Sequence, residues 1–444
     1  MMRLFQQVRP FLGSLFLLVL LNMLIKPIWV FGIDRQVQNL AGLQAYGIYF
    51  SLMNLTMVLN FGLDLGITPF VNRELSTNPA HTPTLLQQAL SFKLLLSALY
   101  TLTVFALAWS AGVADVQLLL LLVLLQILTS FLLLFRGCLT AGGQFRADAL
   151  LSVFDKLLVI GVAGLWLWKK DPTSAVDLPT FVWIQLLSVL ATIVLGLVWM
   201  KQRVSWSRIF SQGWSATVIK AGLPFALNVF FMTAFKRADG FLLERLLPDG
   251  AQATGIYASA YRLIDTVNMM GFLVGGFLVA YIARERVQQP STQLVIRLSR
   301  LFLLLPSVMI AAGGWFLADT LNQWLYHSAS PETGPVIRIL LLTLPGLAFV
   351  QIYGSVLTAT GHIKVFGTIS LFFAAALILT DLAVIPLWGA RGAGWVATGM
   401  QTGYAVVVTG YTLRQTKIPL HLRDLVLTAL IGFLTYFIGK WLFL

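Results

Sequence analysis

Apolar residues dominate this chain in blocks of about 20 or more, and short polar breaks separate the blocks. An α-helix needs about 20 such residues to cross roughly 30 Å of hydrocarbon. The first block follows Arg3 and Arg9 and is longer than the apolar core of a cleaved signal peptide. The last block also fits a helix at the membrane surface. The pattern predicts thirteen spanning helices, at about 10–32, 44–71, 86–111, 116–137, 147–168, 179–200, 218–246, 253–282, 298–320, 335–359, 364–388, 392–413 and 422–443.

Composition supports an all-α polytopic membrane protein. Hydrophobic residues make up 58% of the 444 residues and charged residues only 11%, whereas a soluble domain has about 25% charged residues. Cys138 is the single cysteine, which excludes an internal disulfide and a cysteine metal cluster. The loops between blocks are too short to house a soluble catalytic domain, so we expect no enzyme activity and no bound metal or cofactor.

The net charge of +13 has a pattern that argues against a nucleic-acid partner. The basic residues lie mostly in short loops between apolar blocks. With the N-terminus in the cytoplasm, the cytoplasmic loops carry a clear excess of Lys and Arg over the outer loops, as the positive-inside rule requires. The sequence therefore predicts a multi-pass membrane protein with a cytoplasmic N-terminus.

Two sequence echoes indicate an internal repeat. QAYGIY at 44–49 returns as QATGIY at 252–257, and LTAGGQFR at 139–146 returns as LTATGHIK at 357–364. Both pairs lie at corresponding helices of two halves of six spans each, so the halves are parallel repeats. A duplication that serves only helix packing is the alternative to two lobes that rock around a central cavity. The predicted organisation is an N-terminal lobe at 1–201, a cytoplasmic linker at 202–216, a C-terminal lobe at 217–414 and an extra helix at 415–444.

Four cations lie within predicted spans, at comparable depths on helices one, seven and eight. They are Lys26, Lys236, Arg237 and Arg262. Ionisable groups inside a membrane are costly and usually face a cavity or one another. Arginine grips phosphate oxygens with two parallel hydrogen bonds and lysine offers a point charge. The pattern favours a basic chamber for a multiply anionic ligand, and Pro27 marks a bend beside Lys26.

Five carboxylates share these spans: Asp64, Asp155, Asp239, Asp265 and Asp381. The spacings of Lys236 with Asp239 and of Arg262 with Asp265 are i, i+3, which places each pair on one helix face. Mutual neutralisation of these pairs is the alternative to a ligand site. Asp155 is expected to pair with another helix. Asp64 and Asp381 are the candidate sites for a coupling ion, either H⁺ or Na⁺.

Several motifs carry a resemblance to a known family. NFGLDLGITPFVNRE at 60–74, AGLPFALN at 221–228, GIYASAYRLID at 255–265, LTATGHIK at 357–364 and IPLWGARGAGWVAT at 385–398 resemble the polysaccharide transporter branch, with its Wzx-type flippases, of the multidrug/oligosaccharidyl-lipid/polysaccharide exporter superfamily. The resemblance implies two six-helix lobes around a central cavity and often additional C-terminal helices. A thirteenth span departs from the commoner twelve or fourteen.

The resemblance also implies a function. Wzx-type flippases move undecaprenyl-diphosphate-linked oligosaccharides from the inner to the outer leaflet of the bacterial cytoplasmic (inner) membrane for surface polysaccharide biosynthesis, so the resemblance implies that location here. Related lipid flippases hold the diphosphate with cations of helices one, seven and eight, a role that falls here by position on Lys26, Arg237 and Arg262, assisted by Lys236. The implied partners are the lipid-linked glycan, membrane lipid and glycan polymerase machinery, and the expected state is a monomer.

Two rival functions remain open at this point. A cation-coupled multidrug and toxin extrusion antiporter shares the fold, but it would depend on unpaired carboxylates rather than on cations. A membrane glycan polymerase or ligase would carry a large outer loop with catalytic Arg or His, and the predicted outer loops carry no such cluster.

Overall fold

The computed structural model describes residues 17–77, 82–169, 176–199, 216–284, 287–326 and 330–443, and within these ranges it contains helices and no strand. The predicted all-α fold is confirmed. A first helix, α1, spans residues 17–28 and continues through a π-helical turn, Trp29–Asp34. The other helices are α2 Arg35–Leu59, α3 Ile67–Thr77, α4 Thr82–Ser110, α5 Val116–Ala141, α6 Phe145–Trp168, α7 Leu178–Trp199, α8 Ala216–Leu246, α9 Gly250–Arg284, α10 Pro290–Leu325, α11 Thr333–Leu341, α12 Thr343–Ala359, α13 Ile363–Thr416 and α14 Leu422–Phe443.

The helix lengths agree with the predicted number of spans. In the described part of the chain, ten helical segments are long and apolar enough to cross a membrane. Two of them are double, because Leu17–Leu63 has 47 residues and a backbone break at Gly42, and Ile363–Thr416 has 54 residues and a break at Gly389. At 1.5 Å per residue, 47 residues reach about 70 Å, twice the hydrocarbon thickness. The ten segments therefore contain twelve helices of membrane length. Helix α8, which has 31 residues, is not one of the ten segments and brings the number in the described chain to thirteen.

Two glycines let the chain reverse without a conventional loop. Gly42 has φ of 80° and Gly389 has φ of 57°, both in the left-handed region that residues with a Cβ rarely adopt. Each lies where one span ends and the next begins, so the helix pair is joined by a single residue. The predicted bend at Pro27 also has a structural counterpart, because the π-helical turn begins two residues later.

The chain forms two compact units. The first contains the described residues up to Ala41 and those from Leu52 to Phe230, and in it α5 packs on α7 and α3. The second contains residues 42–51 and 231–443, and in it α12 packs on α9 and α13. Residues 42–51 come from the predicted N-terminal lobe and yet belong to the second unit. The predicted linker at 202–216 lies outside the described residues except for Ala216.

The two echoed hexapeptides contact each other inside the second unit. A Cβ built on Gly47 would overlap the Ala251 carbonyl, and a Cβ built on Gly255 would overlap the Leu43 carbonyl. Each hexapeptide therefore supplies the glycine that the backbone of the other one requires. Glycines at such positions let two membrane helices approach closely. This contact is the structural reason for the repeated Gly-Ile-Tyr.

The last helix, α14, is fastened to the rest of the second unit by ion pairs near its beginning. Asp424 accepts from Arg297 Nε and Nη2 at 2.6 and 2.7 Å and from Arg300 Nη2 at 3.1 Å. Arg300 also donates to the Tyr353 hydroxyl at 3.0 Å. Because α14 packs along α10 and its apolar stretch of 20 residues is long enough to cross, it fits the predicted thirteenth span.

Candidate functional site: a cluster of buried charges in the second unit

Six of the predicted site residues lie on three helices of the second unit. Lys236, Arg237 and Asp239 are on α8, Arg262 and Asp265 are on α9, and Asp381 is on α13. Arg262, Asp239 and Asp381 are buried, and the other three are half-buried. Consecutive polar residues on α8 point in different directions around the helix, so each finds a different partner.

Arg237 pairs with Asp265 across two helices. Arg237 Nη2 lies 3.0 Å from Asp265 Oδ2 and 3.1 Å from Oδ1, and its guanidinium lies 5.0 Å from the ring centre of Tyr261. The i, i+3 spacing predicted Arg262 as the partner of Asp265. The structure differs because the guanidinium of α8 reaches the carboxylate from the neighbouring helix.

Arg262 is held by residues of the first hexapeptide and its helix. Its Nε donates to the Tyr46 hydroxyl at 3.1 Å, and its guanidinium lies 5.6 Å from the ring centre of Phe50. An arginine over an aromatic ring gains a cation–π interaction that partly offsets its burial. The segment 42–51 thus positions a cation of the candidate site as well as packing against α9.

Lys236 lines a small cavity of about 30 Å³ in the second unit. Its ammonium lies 4.7 Å from the ring centre of Phe272, and it has no carboxylate within ion-pair distance among the residues that the structure describes. The predicted pair with Asp239 is therefore not formed, although both side chains line the pocket. The other polar groups of the pocket belong to Tyr261, Thr343 and Gln401.

Asp239 and Asp381 are neighbouring buried carboxyl groups. Asp239 is 2% exposed and Asp381 is 0% exposed, and each lies within electrostatic range of the other. The Tyr257 hydroxyl donates to Asp239 Oδ2, while both oxygens of Asp381 lack a donor among the described residues. Neighbouring buried carboxylates repel each other when both are ionised, and a proton or a bound cation would relieve that repulsion.

The remaining predicted cation, Lys26, lies in the first unit. The charges around it are those of Asp155, Lys156 and Arg136. Asp155 Oδ2 is 3.1 Å from Lys156 Nζ, and that ammonium also lies 4.7 Å from the ring centre of Trp29 in the π-helical turn. Asp155, expected to pair with another helix, thus pairs with its own neighbour in sequence. The result is a second basic cluster.

Asp64 has a structural role. Lys93 Nζ lies 2.8 Å from Asp64 Oδ1 and also donates to the backbone and hydroxyl of Ser130. The same carboxylate accepts from Thr68 N at the start of α3. A coupling residue must bind and release an ion, so this fixed pairing argues against the predicted coupling role of Asp64.

Sequence reasoning missed several residues that hold the site together. Tyr46 and Tyr257 are letters of the two hexapeptides, and they contact Arg262 and Asp239. The repeat itself was the signal that could have identified them. Lys93 and Gln401 carried no such signal, because a single polar residue in an apolar block does not reveal its partner.

Comparisons with known proteins place this geometry in a context. A family model described as "Polysaccharide biosynthesis protein" matches residues 12–276. A search of curated protein sequences gave no match.

Solved structures share the fold over nearly the whole chain. A MOP superfamily transporter from Pyrococcus furiosus, titled as having a binding pocket of reverse polarity, is 14% identical with a TM-score of 0.62 over 91% of this chain and 95% of its own. A mutant of the MATE transporter VcmN from Vibrio cholerae is 15% identical with a TM-score of 0.61 over 92% and 97%. An inward-facing multidrug resistance MATE family transporter is 16% identical with a TM-score of 0.59 over 90% and 94%. At these identities, the likeness establishes the fold.

Proposed function

Because this chain belongs to the polysaccharide biosynthesis protein family, we propose that it is a flippase for an undecaprenyl-diphosphate-linked oligosaccharide. It would move the head group from the inner to the outer leaflet of the bacterial cytoplasmic membrane. The observation that carries the proposal is the concentration of Lys236, Arg237 and Arg262 on adjacent turns of α8 and α9. Placing three cationic side chains within the membrane is unfavourable in free energy, and binding of a diphosphate would offset that cost.

The mechanism follows from the charges. The diphosphate would bind Lys236, Arg237 and Arg262 while the polyprenyl tail stays in lipid. Rocking of two lobes around a central cavity would then expose the head group outside. No bond is made or broken. A membrane potential that is negative inside favours outward movement of an anion by about 2.3 kcal/mol per charge per 100 mV. A glycan polymerase as partner and a monomeric state remain predictions.

Transport measurements with cation variants test the proposal. Arg237→Ala and Arg262→Ala should each lower flipping of a fluorescent polyprenyl-diphosphate sugar in proteoliposomes at least tenfold, because each removes a phosphate-binding cation. Arg391→Ala is the matched control, since Arg391 forms an ion pair with Glu332 in which both side chains are about half exposed. It should keep near wild-type activity. The antiporter alternative predicts the opposite order of effects. In that case Arg237→Ala and Arg262→Ala would reduce transport only slightly, and Asp381→Asn would abolish export of cationic drugs.

The Asp239–Asp381 pair is our candidate for the coupling site. Asp381→Asn keeps the shape of the side chain but removes one titratable group, so the pair no longer exchanges a proton or cation as the carrier reorients. We expect flipping driven by an imposed pH or Na⁺ gradient to fall at least tenfold, while flipping driven by membrane potential alone persists. Unchanged gradient-driven flipping in Asp381→Asn, with folding verified by size-exclusion chromatography, would exclude the pair as the coupling site.

A further inference from the structure

We propose that Asp265 is a built-in competitor for the substrate: its carboxylate holds Arg237 in the empty carrier, and the phosphate oxygens of the head group displace it. The inference rests on the proposed function and assigns a role to a residue that does not itself bind the ligand. Both oxygens of Asp265 lie within 3.1 Å of one guanidinium nitrogen. A phosphate oxygen that binds this nitrogen of Arg237 must therefore displace the carboxylate.

The pair is open enough for exchange. The side chains of Arg237 and Asp265 are 18% and 19% exposed, whereas those of Arg300 and Asp424, which help to fasten α14, are 2% and 5% exposed. The buried Arg300–Asp424 pair is suited to holding helices together. The Arg237–Asp265 pair keeps nearly a fifth of each side chain exposed.

Arg237 is supported independently of the carboxylate. The Tyr261 ring lies 5.0 Å from the guanidinium carbon, and the Tyr261 hydroxyl donates to the backbone carbonyl of Lys236, which fixes the ring against α8. When Asp265 withdraws, the cation–π contact keeps the guanidinium in place. The phosphate then meets a positioned arginine rather than a mobile one.

The charge of a ligand decides whether it displaces the Asp265 carboxylate from Arg237. A carboxylate carries one negative charge, and a diphosphate ester carries two or more and offers several oxygens for paired hydrogen bonds. Lys236, which has no carboxylate partner in the described part of the chain, adds its attraction to the larger anion. Anions with a single charge gain too little to displace Asp265. The residue thereby sets a threshold for multiply charged ligands.

The return of the empty carrier explains why a competing carboxylate would be useful. A buried cation left without a partner is strongly destabilising. A carrier that releases its ligand outside must return with its cations unoccupied. Asp265 would neutralise Arg237 on that return, so the residue weakens binding and speeds the cycle.

Asp265→Asn separates these two effects, because it removes the charge and keeps the shape. We expect the Kd of the purified protein for inorganic pyrophosphate, measured by titration calorimetry, to fall about fivefold or more. Flipping turnover in proteoliposomes should fall severalfold in the same variant, since the empty carrier returns more slowly. Asp265→Glu retains the charge and should bind pyrophosphate no tighter than wild type.

Glu332→Gln is the matched control, because Glu332 pairs with Arg391 at 2.7 Å and both side chains are about half exposed, and it should leave pyrophosphate affinity unchanged. Equal or weaker pyrophosphate binding in Asp265→Asn, with flipping by wild type intact, would overturn the competitor role and leave the proposed function standing. A wild-type protein that neither binds pyrophosphate nor flips the lipid-linked sugar would overturn both.

Discussion

An alanine at Gly255 should largely abolish the folded protein, whereas an alanine at Gly276 on the same helix should leave it intact. The added methyl at Gly255 would overlap the Leu43 backbone, and nothing lies within 4 Å of a Cβ at Gly276. Forcing atoms into a packed contact costs about 1–3 kcal/mol when side chains yield. Here the obstacle is a carbonyl of another helix, so two helices must separate and the cost should reach or exceed the upper end.

Gly276→Ala is a stringent control because alanine favours the helical conformation over glycine by about 1 kcal/mol. It should match or slightly exceed wild type in the yield of monodisperse protein after detergent extraction and in thermal unfolding midpoint. Gly47→Ala should resemble Gly255→Ala, since its methyl would overlap the Ala251 carbonyl. Wild-type yield and midpoint in both Gly47→Ala and Gly255→Ala would show that the hexapeptides do not depend on this close crossing.

The second large effect is expected from Asp64→Ala. Lys93 is 1% exposed and loses its only carboxylate within ion-pair distance in the described chain, whereas Asp64 itself is 30% exposed. Removing one partner of a buried pair costs about 3–5 kcal/mol because the other charge stays buried. The variant should show a thermal unfolding midpoint several degrees lower, together with a reduced yield of folded protein.

A second substitution identifies the cause. Lys93→Met fills a similar volume without charge, so the double variant Asp64→Ala with Lys93→Met should recover most of the lost stability. Recovery would assign the effect to the uncompensated ammonium. If instead Asp64→Ala folds normally and loses only gradient-driven transport, Asp64 belongs to the coupling machinery after all.

The architecture was predictable because long apolar blocks admit few alternatives. A stretch that matches the thickness of a bilayer forms a helix in order to satisfy its backbone groups, and thirteen such stretches appear in the structure as expected. The breaks at Gly42 and Gly389 also fall between predicted spans, at 10–32 and 44–71 and at 364–388 and 392–413, but the sequence did not show that a single glycine makes each break. Their positive φ values follow from where the helices must turn back.

The pairing of charges was only partly predictable. Spacing along one helix indicated Arg262 as the partner of Asp265. The observed partner is Arg237, which is 28 residues from Asp265 in sequence. Likewise Asp239 accepts a hydrogen bond from Tyr257 of α9 and forms no ion pair with Lys236 of its own turn in the described chain. Sequence separation reveals which groups share a helix face, while the choice between a neighbour on that face and one across the interface depends on how the helices pack.

The crossing of Gly47 with Gly255 has a consequence for biogenesis. Translation proceeds at about 5–20 residues per second, so the 208 residues between the two glycines take roughly 10–40 s to synthesise. For that time the first hexapeptide is already made and its partner does not yet exist. The first half of the chain therefore lies in the bilayer with its Gly47 face uncovered until α9 has been synthesised. During that time the face is accessible to chaperones and to premature pairing with other helices.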